Sequence, residues 1–160
     1  MARIYVSIGS NIQPQRYIKT GLAELRQHFG KLLLSSIYET EAIGFKGDNF
    51  YNLVAGFDSN EEIYHIIHIL RVIEKNNDRQ RTNNRFSART LDIDLLLYDD
   101  LILENEDIKI PRNEIIKYAF VLLPLAEIAP TLKHPITGKS YAELWQTFDN
   151  KGQILKKVNF

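Results

Sequence analysis

The apolar residues of this 160-residue chain change period in a fixed order, and that order narrows the fold more than composition does. Arg3 to Gly9 (RIYVSIG) carries Ile4, Val6 and Ile8 at alternate positions, the pattern of a half-buried strand, and ends in the turn Gly9-Ser10-Asn11. From about Pro14, the residues Ile18, Leu22, Leu25 and Phe29 recur at helical spacing, with Gly30 where a helix stop belongs. Leu32 to Tyr38 reads as a second strand and Phe50 to Phe57 as a third, with a loop from Thr40 to Asp48 between them. Ser59 to Glu62 has the S-x-x-E form of a capping box, and Ile63, Ile66, Ile67, Leu70 and Ile73 follow on one helical face that fades near Asn76. Asn77 to Ser87 is almost without apolar residues and reads as a surface loop, and a strong strand runs from Thr90 to Tyr98. Strand, helix, strand, strand, helix, strand is the order of a ferredoxin-like fold. The expected class is therefore α+β: a βαββαβ core whose antiparallel sheet carries helices on one face. C-terminal additions follow: one or two short strands within Leu101 to Ile110, the apolar stretch Phe120 to Leu125, and a short helix at about Tyr141 to Phe148.

The length fits one domain spanning residues 1–160. Twenty basic and twenty acidic side chains cancel, so bulk attraction to nucleic acid or to a membrane surface is not expected and any anion site has to be local. There are no cysteines, which leaves oxygen and imidazole as metal donors. The sequence holds no apolar run of membrane-spanning length, and Met1-Ala2-Arg3 leads into a strand-like segment without a signal-peptide pattern, so a soluble cytoplasmic protein is expected.

Two neighbouring features carry the chemistry. Arg71 to Arg89 holds Arg71, Lys75, Arg79, Arg81, Arg85 and Arg89 against Glu74 and Asp78, a local net charge of +4 in a neutral chain. Arginine forks suit phosphate oxygens, although a solvated charged loop has the same composition. Next to it, Asp92 and Asp94 stand two apart on an otherwise apolar strand, hence on one face of the sheet. They either pair with arginines such as Arg89 or form a magnesium site of hard oxygen ligands with positions left for water and phosphate. Arginines beside paired carboxylates match the needs of a Mg-nucleotide. Glu74 either meets a ribose or pairs with a cation on its own helix. Asn52, within a strand, is a specificity hydrogen bonder or a satisfied structural amide. Phe50, Phe86 and Phe120 are by default core aromatics, and His65 and His68 lack an evident third metal ligand.

The run Arg85-Phe86-Ser87-Ala88-Arg89-Thr90-Leu91-Asp92-Ile93-Asp94-Leu95-Leu96 resembles the 6-hydroxymethyl-7,8-dihydropterin pyrophosphokinase family. So do Gly9 to Asn11, Thr40 to Gly44, Phe50-Tyr51-Asn52 and the stretch Phe120 to Pro130, in the same order over nearly the whole chain. The resemblance implies ATP-dependent transfer of pyrophosphate to the hydroxymethyl group of a reduced pterin, releasing AMP, in folate biosynthesis. It also implies that Asp92 and Asp94 hold two Mg²⁺ ions and that Glu74 and Arg89 contact ATP. Arg79 and Arg81 would belong to a closing loop. Thr40, Ala42, Ile43, Phe50, Asn52, Phe86 and Phe120 would form the pterin slot, with Asp92 at its metal side. Partners would be these two small molecules, with no nucleic acid and no membrane. The chain departs from the family pattern at Phe86, where tryptophan is usual, at Ser87-Ala88 for Gly-Pro, and at Phe50 for tyrosine. It departs again at Pro111-Arg112-Asn113 for Pro-His and at Tyr118 for an arginine, where Arg112, Lys109 and Lys117 are the cations at hand for the nucleotide. Two alternatives stand beside transfer: a paralogue that binds pterin without it, and an RNA-binding module of the same strand order, for which no aromatic strand signature is present.

Overall fold

The computed structural model describes residues 1–41, 48–80 and 88–160. Its elements run β1 (Ala2–Ser10), α1 (Pro14–Phe29), β2 (Leu33–Leu34), β3 (Ile37–Thr40), β4 (Phe50–Ser59), α2 (Ile63–Asn76) and β5 (Asp92–Tyr98). There follow β6 (Leu103–Glu104), β7 (Lys109–Ile110), α3 (Glu114–Lys117), α4 (Ala119–Ile128), α5 (Tyr141–Gln146) and β8 (Lys156–Val158). The sheet order is β5-β1-β4-β3-β8, with β2 also paired to β4 and every pairing antiparallel. Its first four strands have the ferredoxin-like order that the sequence pattern predicts.

Alternation along the strands builds two cores. Ile4, Val6 and Ile8 of β1, Leu53, Ala55 and Phe57 of β4, and Ile93 and Leu95 of β5 meet the apolar stripes of α1 and α2. Tyr5, Val54, Leu96 and Leu97 lie in a second cluster with Val121, Leu122 and Leu125 of α4 and Tyr141 of α5. The core helices α1 and α2 keep to one face as expected, and the apolar side chains on the other face of β1, β4 and β5 are covered by the C-terminal helices. The register of β1 on β5 shifts between Tyr5 and Val6, which turns the consecutive residues Leu96 and Leu97 into the same cluster.

Two local expectations change, and two elements are new. The strand predicted over Leu32 to Tyr38 is broken at Ser35, whose Oγ accepts from Val54 N at 2.9 Å in place of a regular ladder bond. The capping box predicted at Ser59 is replaced by Glu62 at the N-cap, accepting from His65 N at 2.9 Å, while Ser59 Oγ accepts from Glu61 N. Glu62 wins because it directly precedes the first helical residue, Ile63. Finally, β8 adds an edge strand that no alternation announces, and Phe120 to Leu125 proves helical.

Candidate active site

Because Ile93 and Leu95 point into the α1–α2 core, the strand period turns Asp92 and Asp94 to the other face. The register places Gly9 of β1 between Asp92 and Asn52 of β4, and Ser7 between Asp94 and Val54. A single row across three strands therefore runs from a carboxylate, over a glycine, to an amide. A Cβ on Gly9 would stand 2.6 Å from Asn52 Oδ1, so Asn52 keeps its position only over bare backbone.

Guanidinium groups ring the carboxylates. Arg89 Nη1 lies 2.7 Å from Asp92 Oδ2 and Arg79 Nη2 lies 3.8 Å from Asp92 Oδ1. Arg71 Nη2 and Arg112 Nη2 stand 3.6 and 3.7 Å from the two oxygens of Asp94. Arg112 Nε also meets Glu114 Oε2 at 2.9 Å. Burial, and then the neighbouring Asp92 charge, push the Asp94 carboxyl up from 3.8 to about 6, against the opposing pull of Arg112 and Arg71. Glu74, 1% exposed, reaches the same place from α2: one oxygen accepts from Ile93 N at 2.8 Å and the other meets Arg71 Nη1 at 3.0 Å. The pair on its own helix, weighed from the sequence, is therefore present.

Glu74, Asp92 and Asp94 each offer a carboxylate oxygen, all within 4.8 Å of one another. An all-oxygen set of this kind fits a hard divalent cation. Glu74, held by Ile93 N and Arg71, braces the strand that carries the two aspartates.

A cleft of about 400 Å³ opens over the row. Arg89, Asp92, Asp94 and Arg112 line its charged end, Ser7 and Gly9 its floor, and Thr40, Phe50, Asn52 and Phe120 its other end. The structure thus brings most of the predicted residues into one cleft, with Arg79 on Asp92 and Glu74 behind it. Lys109 is not brought there: it sits in the β6–β7 hairpin, 3.0 Å from Glu104. Ala42, Ile43, Arg81 and Phe86 lie outside the described residues.

Sequence reasoning left several lining residues unassigned. Tyr118 lines the cleft and stacks on Phe120 at 5.0 Å between ring centroids. Glu114 and Glu41 also line it, and Arg71 holds Asp94. Arg71 was legible as the i−3 neighbour of Glu74. Glu114 follows Arg112 by two residues, but nothing in its spacing marks it as a partner.

The fold and the cleft define a class first: an α+β protein whose sheet carries an acidic pair among arginines at one end of a cleft and aromatic rings at the other. The chain belongs to the 7,8-dihydro-6-hydroxymethylpterin-pyrophosphokinase (HPPK) family, whose model matches residues 5–130. It is 30% identical over 145 residues to the 2-amino-4-hydroxy-6-hydroxymethyldihydropteridine pyrophosphokinase of Aquifex aeolicus, covering 89% of this chain and 90% of that one. The enzyme of the same name from Pseudomonas aeruginosa is 33% identical over 146 residues, covering 89% of each chain. Among solved structures, wild-type Plasmodium falciparum HPPK-DHPS with pterin and p-hydroxybenzoate aligns with a TM-score of 0.73 at 14% identity, over 91% of this chain. This chain spans 42% of that longer one, and the likeness carries the fold alone.

Proposed function

We propose that this chain transfers pyrophosphate from ATP to the hydroxymethyl group of 6-hydroxymethyl-7,8-dihydropterin, releasing AMP. Family membership supports the reaction. The observation that carries it into this chain's own residues is the row Asp92–Gly9–Asn52, which sets an arginine-ringed carboxylate two strands from an amide beside aromatic rings.

Asp92 and Asp94 would hold Mg²⁺, two ions in the family reading, and the metal supplies charge neutralisation for the triphosphate. Arg79, Arg89 and Arg112 would take phosphate oxygens, which requires them to exchange part of their present contact with the aspartates for the substrate. Phe120 stacks on the pterin ring, Asn52 reads its polar edge, and Thr40 and Phe50 close the slot. The pterin hydroxyl oxygen then bonds to the β-phosphorus and gives up its proton to water, as the bond from the β-phosphorus to the α-phosphate oxygen breaks in line and AMP leaves. The protein contributes position and charge rather than a nucleophile. The same reading makes residues 1–160 one catalytic domain acting in the cytoplasm. Among the described residues, no helix is long and apolar enough to cross a membrane.

The test is to mix the protein with Mg²⁺, ATP and hydroxymethyl-dihydropterin and to follow AMP. Formation of AMP that requires the pterin is expected. Saturable pterin binding without AMP would overturn the transfer and leave a binding protein.

A further inference from the structure

Helix α2 carries Glu74 near its end, and Arg79 begins the segment beyond it. The two are joined by the way the helix stops. Asp78 N donates to Lys75 O at 3.2 Å and Arg79 N donates to Glu74 O at 3.1 Å, the paired bonds of a Schellman stop. That motif needs a left-handed residue between, a position glycine usually fills, and here Asp78 occupies it with φ 65°. An aspartate tolerates the left-handed region poorly compared with glycine, so something has to hold it there.

The neighbouring helix α1 supplies the hold. Tyr17, Thr20 and Glu24 lie along one face of α1: Tyr17 meets Asp78, Thr20 meets Asn77, and Glu24 meets both Asn77 and Asn76. Thr20 and Glu24 engage the asparagines at the helix end. Tyr17 alone of the three reaches the left-handed residue, its hydroxyl donating to Asp78 Oδ2 at 2.6 Å. Its ring is buried in the α1–α2 core and would stay there without the hydroxyl.

We propose that Tyr17 is a positioning residue for Arg79: by holding Asp78 left-handed, it ends α2 where Arg79 turns back onto Asp92. The reach is short, because Arg79 is the next residue after Asp78 and its side chain, 7% exposed, places Nη2 3.8 Å from Asp92. The inference rests on the reading above that Arg79 serves pyrophosphate transfer at Asp92. The Tyr17 hydroxyl acts through Asp78 and touches no substrate.

The experiment uses three full-length proteins: wild type, Tyr17→Phe, and Tyr17→Phe with Asp78→Gly. Tyr17→Phe removes one short charge-assisted bond and keeps the ring. It should lower kcat about five-fold, leave the KM for pterin within about two-fold, and speed amide exchange at Arg79 about five-fold. Glycine adopts the left-handed conformation unaided, so the double variant should return both kcat and exchange to within about two-fold of wild type. An unchanged kcat in Tyr17→Phe overturns the proposal. So does a lowered kcat that Asp78→Gly fails to restore, or restored exchange without restored kcat. A wild-type chain that makes no AMP would instead overturn the transfer reading, and exchange at Arg79 in the same three proteins still decides whether Tyr17 sets that turn.

Discussion

The main-chain N–H of Ile93 donates to the Glu74 carboxylate at 2.8 Å, from the outermost strand of the sheet to a helix. Arg71 Nη1, three residues before Glu74, donates to the carbonyl of the same Ile93 at 3.1 Å. One turn of α2 therefore satisfies both outward-facing backbone groups of β5 between Asp92 and Asp94, where an open sheet edge would otherwise leave them unpaired. The acidic pair is held from behind by the backbone between its two members.

Glu74→Ala should therefore destabilise the fold by about 2 kcal/mol, since a buried N–H loses its acceptor. Glu74→Gln keeps an acceptor for Ile93 and should cost less than half as much. Urea denaturation of both variants checks the order, and an alanine variant as stable as the glutamine variant would show that Ile93 finds another partner.

The Asp94 carboxyl titrates near 6 instead of 3.8 because burial and Asp92 both disfavour its charge. The native state then binds this proton more tightly than the unfolded chain, so stability falls as pH rises from 3.8 toward about 6, and above that the full penalty is present. In EDTA at pH 7.5, Asp94→Asn should raise stability by on the order of 1 kcal/mol, about 2–4 °C in Tm for a chain of this size. Arg71 and Arg112 keep Glu74 and Glu114 as partners in that variant. The gain should vanish near pH 4, and AMP formation should be lost throughout. Calorimetry across this pH range checks the sign. Conversely, cation binding by the wild type should weaken as pH drops below about 6.

Much of this site was legible because it follows from strand period. Asp92 and Asp94 at i and i+2 had to share a face, and Ile4, Val6 and Ile8 marked the core side of β1. What escaped depends on departures from a regular ladder or on tertiary neighbours. A period of two cannot announce that Leu96 and Leu97 turn the same way, since that comes from the register shift against β1. Ser35 breaks its strand through a side-chain bond to Val54, which has no local signature. Lys109 was assigned to the nucleotide by charge, but the short β6–β7 hairpin sets it against Glu104. The role of Gly9 lies in the side chain it lacks, visible only once Asn52 stands opposite.

Gly9→Ala tests that vacancy directly. The new methyl would overlap Asn52 Oδ1, the end of a side chain that can swing away, so folding should survive while the amide leaves the row. Losing one buried polar contact to the pterin edge predicts about ten-fold weaker pterin binding with ATP affinity little changed. Calorimetric titration with each ligand separates the two. Equal losses for both would place the effect on the whole cleft rather than on Asn52.

His134, 3% exposed, gives a pH response remote from the cleft. Its Nδ1 accepts from the main-chain N–H groups of Ile136 and Thr137 at 3.2 and 3.3 Å, closing the turn before α5, so the ring is neutral and Nδ1 carries no proton. Burial lowers its pKa below the ordinary 6.5. The unfolded chain therefore takes up the proton first as pH falls: the contribution to stability is complete above 6.5 and is lost as pH falls from there through the lower folded-state value. His134→Asn places an oxygen acceptor near the Nδ1 position and cannot titrate in this range. Below pH 6.5, the wild type should lose stability relative to the variant, by about 1.4 kcal/mol for each unit separating the two pKa values. Urea midpoints at pH 5 and pH 7.5 check it: the gap between wild type and variant should widen in acid, and parallel curves would mean that the ring stays unprotonated in both states or leaves the turn without cost.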